Sequence, residues 1–260
     1  MKLIRFLRAA LLLSMATLGA DQLAFAENAR DIVMAQRQPQ TLLPQTDQMP
    51  ITESQVAEDP VMAQVAYLQT EWARIKYRVP DENAQLSAIH KLEDHAEKVS
   101  AAYPDRAEPK IWEGIILSTD AGIVKGLSAL GKVKKAKALF ETALHENPQA
   151  LDGSAYTSLG SLYYQVPGWP VAFGDNEQAE KHLKQALQIN PEGIDPNFFY
   201  GDFLLQDGRL DDAKTYLERA LRAPDRPDRS LADAGRRQEI KAKLAEIHEK
   251  VKDKSKPRYN

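Results

Sequence analysis

Residues 179–191 read Ala-Glu-Lys-His-Leu-Lys-Gln-Ala-Leu-Gln-Ile-Asn-Pro, and the spacing of their small and apolar members recurs along the chain. Ala179, Leu183, Ala186 and Pro191 are matched by Ala136, Phe140, Ala143 and Pro148. They are matched again by Ala213, Leu217 and Ala220, with Pro224 one residue early, and more loosely by Leu92, Ala96, Val99 and Pro104. Ahead of the three good copies stands a glycine followed three residues later by a large apolar side chain: Gly114 with Leu117, Gly160 with Tyr163, Gly201 with Leu204. Steps of three and four place each set on one helical face. The glycine lets a second helix come close, the two small residues admit neighbouring helices, the larger one fills the seam, and proline ends the helix. One such pair cannot cover its own apolar face, so the units have to stack.

These residues resemble the tetratricopeptide repeat, a helix–turn–helix unit whose 34-residue period is met between Ala179 and Ala213. The fold expected is all-α: tetratricopeptide-like pairs in a short solenoid, with units at about 60–106, 107–150, 153–193 and 194–227, and a capping helix at about 230–253. Two copies depart from the pattern. About Thr119–Lys132 an insertion of helical character lengthens both helices of its unit, and Gln165–Asp175 (QVPGWPVAFGD) forms a shaped loop, because two Pro and two Gly forbid a helix there. With that loop, YYQVPGWPVAFGD followed by AEKHLKQALQINPEGIDPNFFYGDFLL resembles the T-component proteins of TRAP transporters and their periplasmic relatives. The resemblance implies a periplasmic helper of a solute-binding protein, with a ligand cavity or channel and a capacity to trimerise. Members of that family are often lipid-anchored, whereas this chain has no cysteine to carry a lipid.

The flanks are read separately. Lys2, Arg5 and Arg8, the apolar run Ala9–Ala20 and Ala24-Phe25-Ala26 describe a secretory signal peptide over 1–26, cleaved near Ala26. The twelve-residue run is short for a bilayer core of about 30 Å, so no stable membrane anchor and a periplasmic or secreted protein are expected. Residues 27–58 hold six Gln, three Pro and no aromatic residue, the composition of a disordered linker that serves as a spacer or as a partner-binding strap. From 59 to 260 the periodicity is helical. The tail, 222–260, is locally basic, with Leu231, Ile240, Leu244, Ile247 and Val251 at helical spacing. It reads as an amphipathic cap or as a contact for an anionic partner.

The 260 residues carry 34 Lys+Arg, 37 Asp+Glu and no Cys. Disulfides, thiolate metal sites and thiol catalysis are excluded, and the near-neutral balance argues against a nucleic-acid partner. None of the five histidines stands in an H-E-x-x-H pattern, and no nucleophile elbow, phosphate loop or dinucleotide fingerprint is present. No enzyme activity, cofactor or metal is expected. A binding groove is: the first helices of the third and fourth units carry Thr157, Ser161, Tyr164 and Gln165, then Asp195, Phe198, Asp202 and Gln206, with Trp169 and Phe173 on the loop between. Such a mixed lining suits protein–protein interaction, with homo-oligomerisation open, or a small polar solute held in a groove closed by residues 165–175. Tyr164 and Phe198 can instead pack on the loop, and Trp169 can be a plug or an exposed contact.

Overall fold

The computed structural model describes residues 59–124 and 126–255. The segments read as signal peptide and linker, 1–26 and 27–58, lie outside the described residues. The described residues form helices and no strand: α1 Pro60–Arg78, α2 Glu82–Ala102, α3 Ala107–Val124, α4 Leu127–Glu146, α5 Ala150–Gln165, α6 Asn176–Ile189, α7 Ile194–Gln206, α8 Leu210–Leu221 and α9 Ser230–Ser255. A 3₁₀ turn, Pro227–Arg229, leads into α9. Aspartate side chains cap three of these helices at their N-termini: Asp59 accepts from the Val61 amide at 3.0 Å, Asp81 from Ala84 at 2.7 Å, and Asp175 from Glu177 and Gln178 at 2.9 and 3.1 Å.

Helices α1 to α8 pack as four consecutive pairs, and the repeat spacing explains how. A Cβ added to Gly114 would lie 2.5 Å from the Phe140 ring, one on Gly160 2.7 Å from Leu183, and one on Gly201 2.8 Å from Leu217. Each glycine therefore admits the large central residue of its partner helix. Phe140, Leu183 and Leu217, and the alanines at 136, 143, 179, 186, 213 and 220, are all fully buried. The insertion of the second unit lengthens both its helices. Helices α3 and α4 have 18 and 20 residues against 13 and 12 for α7 and α8, and the chain turns between them at Gly126, φ +77°.

Helix α9 continues the series of first helices. Arg236 bonds Asp195 and Lys243 bonds Asp202, both at an offset of 41 residues, so α9 runs in the same direction as α7 beside it. In that register Ala242 takes the place of Gly201, yet it is exposed: no second helix covers α9 among the described residues. It also reaches the beginning of the stack. Ile240 and Ile247 belong to the apolar cluster of α7 and α8, while Ala232 belongs to the cluster of α1 and α2 with Trp72, Ile89 and Trp112. A Cβ on Gly235 would run into the Tyr77 ring, so α1 and α9 meet at close range. The four pairs and α9 thus close, first helix against last.

Candidate functional site

The sequence-predicted groove residues fall into two groups. The first is a polar seam across α5, α7 and α9. The Tyr164 hydroxyl donates to Asp202 Oδ2 at 2.8 Å, Gln206 Nε2 donates to the same oxygen at 3.1 Å, and Gln165 Nε2 donates to the Tyr164 hydroxyl at 3.1 Å. Lys243 of α9 closes the seam on Asp202 Oδ1 at 2.8 Å. Burial, and then the Asp202 charge, push the Tyr164 hydroxyl well above its ordinary range, so it stays a proton donor. Thr157 is buried, and Ser161 bonds back to the Ser158 carbonyl at 2.9 Å. Tyr164 packs on Phe203, and Phe198 lies under the Arg236 guanidinium at 4.3 Å. Both therefore face α7 and α9 rather than the inserted loop.

Two turns earlier along α7 lies a network of charges. Asp195 meets Arg236 and Arg226 at 3.0 Å each, Arg236 reaches Glu239 at 2.6 Å, and Glu239 meets Lys76 of α1 at 2.9 Å. Burial alone would raise the Asp195 carboxyl, but the charges of Arg236, Arg226 and Arg229 outweigh it and hold it at about 2. Burial likewise opposes the charges on Glu239 and Lys76, and each is kept ionised by the other. Sequence reasoning found Asp195 and missed Glu239 and the cations of this network. The available signal was the seven-residue step shared by Asp195/Asp202 and Arg236/Lys243.

The second group is the loop between α5 and α6. The Asp175 amide donates to the Tyr163 carbonyl and the Gly174 amide to the Pro167 carbonyl, each at 2.9 Å, while Val171 and Ala172 turn back onto the Gly168 carbonyl at 3.1 and 3.2 Å. Phe173 stands edge-on to Tyr163 with ring centres 5.6 Å apart, and Lys137 of α4 lies over both rings at 5.8 and 5.7 Å. Phe173 is thus an anchor. Trp169 is the opposite: it is 90% exposed at the tip, beside the exposed Val171. Trp72 and Trp112, by contrast, are buried edge-to-face in the core.

A third cluster ties α2, α3 and α4. Asp120 is fully buried, with Lys132 at 2.6 Å and His90 at 3.2 Å, and Lys132 also holds Glu93 at 2.8 Å. Burial and the hydrogen bond with Asp120 raise the Glu93 acid. An open cavity of about 290 Å³ lies beside it, lined by His90, Glu93, Asp94 and Lys132. Among the described residues no group of three or more His, Asp or Glu side chains is placed to hold a metal ion. Of the other histidines, His95 meets Gln64 at 3.3 Å and His182 stacks on Tyr163 with ring centres 5.6 Å apart. Among the described residues no helix is long and apolar enough to cross a membrane.

Residues 171–234, from the inserted loop to the start of α9, match the family model described as tetratricopeptide repeat. No curated protein matches the chain. Among solved structures, a thermophilic TPR protein of Thermus thermophilus is similar at 21% identity with a TM-score of 0.47, covering 73% of this chain and 90% of that one. PilF of Pseudomonas aeruginosa is similar at 14% identity with a TM-score of 0.31, covering 75% and 92%. The fold is all-α, a stack of tetratricopeptide-like helix pairs.

Proposed function

We propose that this chain is a non-enzymatic scaffold that captures a protein partner through the loop between α5 and α6. The observation that carries the reading is Trp169, 90% exposed on a loop whose backbone is hydrogen-bonded to itself and to α5. Removing a side chain of this size from water stabilises a complex by about 2–3 kcal/mol. A loop already held in shape adds little ordering cost to that gain. The positive n-region, apolar run and Ala-x-Ala site support an exported, periplasmic setting after cleavage near Ala26. The resemblance of the loop and the helices after it to TRAP T-components gives the partner its class, a periplasmic solute-binding protein, and the role of an accessory in solute uptake.

The rival reading is a carrier that holds a small polar solute in the groove. It is disfavoured because the side chains such a solute would use, Tyr164, Gln165, Asp202 and Gln206, bond one another, and Lys243 takes the remaining Asp202 oxygen. The test is affinity capture from the periplasmic extract with the mature chain and with Trp169→Ala, followed by mass spectrometry. A solute-binding protein enriched by the first and lost with the second, at unchanged melting temperature, is the expected result. Equal recovery by both chains would overturn the proposal.

A further inference from the structure

We infer that the cavity between α2 and α4 is a binding site for a small organic primary ammonium, whose N–H groups are taken by Glu93 and Asp94. It lies on other helices than the Trp169 loop and does not rest on the reading of that loop. The cavity is open, with a volume of about 290 Å³, and its wall is made by His90, Glu93 and Asp94 of α2 and Lys132 of α4. An apolar cavity of about 150 Å³ already takes up benzene, so an amine of about five to ten heavy atoms fits here.

Asp120 of α3 stands behind this wall, with none of its surface exposed. Its Oδ2 holds two of the wall residues, Lys132 at 2.6 Å and His90 at 3.2 Å. Its Oδ1 is buried too and accepts no hydrogen bond among the described residues. A buried carboxylate oxygen left without a donor is costly, so the cluster is short of an N–H group. Lys132 cannot supply it, because its ammonium is divided between Asp120 and Glu93, the latter at 2.8 Å. The next cation facing this side of α4, Lys135, is taken up by Glu97 and Glu113 at 2.8 and 3.0 Å. Positive charge is short as well: two carboxylates in the wall and a third behind it face one ammonium and one imidazole. Burial and the contact with Asp120 accordingly disfavour the charged form of Glu93.

A ligand ammonium answers both shortages. It donates to Glu93 and Asp94 from the open side, and Lys132, relieved of Glu93, turns its N–H groups to Asp120. An anion would instead meet two carboxylates and find Lys132 already engaged. The site also selects among cations, since a primary ammonium carries three N–H donors and a quaternary one carries none.

The test is an amide chemical-shift titration of the full chain with n-butylammonium, and with tetramethylammonium, its isomer of equal charge. Butylammonium should bind saturably below about 10 mM, with the shifts centred on residues 90–94, 120 and 132, and tetramethylammonium about tenfold or more weaker. Glu93→Gln should weaken butylammonium about tenfold or more, through the loss of a charge-assisted hydrogen bond. Should that variant not fold, Asp94→Asn decides: the residue is exposed, and the change should weaken binding about threefold or more. Equal affinities for the two isomers would assign the effect to charge alone and overturn the inference. So would the absence of saturable shifts up to about 50 mM, which leaves the buried oxygen to water. Binding that survives Glu93→Gln or Asp94→Asn unchanged would contradict it also.

Discussion

At the scale of single residues, the small positions are the ones the repeat depends on. Gly160 and Gly201 leave no room for a methyl group against Leu183 and Leu217. Gly160→Ala or Gly201→Ala should destabilise the chain by about 1–3 kcal/mol in urea unfolding, since the partner helix has to move. Gly122 is the control: a Cβ there meets nothing within 4 Å, and it lies inside α3. Gly122→Ala should stabilise by up to about 1 kcal/mol. Asp195 makes a pH-dependent contribution whose sign follows from its carboxyl, which lies at about 2 in the folded chain against an ordinary 3.8. A depressed acid stabilises the fold above its unfolded value, and that stabilisation is lost as pH falls through the folded one. Asp195→Asn should therefore cost about 2 kcal/mol at neutral pH, and the two chains' urea midpoints should converge between about pH 4 and pH 2.

At the scale of elements, the inserted loop separates two aromatic residues that the sequence presents alike. Phe173 packs on Tyr163 under Lys137, while Trp169 projects into solvent. Phe173→Ala should cost about 2 kcal/mol, whereas Trp169→Ala should leave the melting temperature almost unchanged. The helix pairs themselves were legible in the sequence for a physical reason. The contact of Gly201 with Leu217, or of Gly160 with Leu183, is made between neighbours in the chain, so residue spacing alone records it. The loop was legible as a loop from its Pro and Gly. Which of its rings turns inward was not, because that depends on Lys137 and Tyr163 in other helices.

At the scale of the whole stack, the closure of α9 on α1 is what no local pattern announced. Tyr77 and Glu239 are 162 residues apart, and they meet only because each unit adds its small rotation to the next. The basic tail was visible as composition, but its task of satisfying Asp195 and Asp202 was not. Glu239 links the two ends through Lys76 and Arg236. Glu239→Ala leaves both cations short of a partner and should cost about 2–3 kcal/mol in urea unfolding. With the polar seam across α5 and α7 taken by α9, the exposed ring at the loop tip becomes the surface on which the scaffold reading rests. Of the three tryptophans, Trp72 and Trp112 are 6% and 3% exposed, and Trp169 is 90% exposed. Acrylamide quenching of tryptophan fluorescence therefore reports almost solely on Trp169, and titration with the captured partner is the most direct test. The account predicts that saturating partner removes the quenchable component. A partner that binds fully while Trp169 remains as quenchable as in the free chain would contradict it.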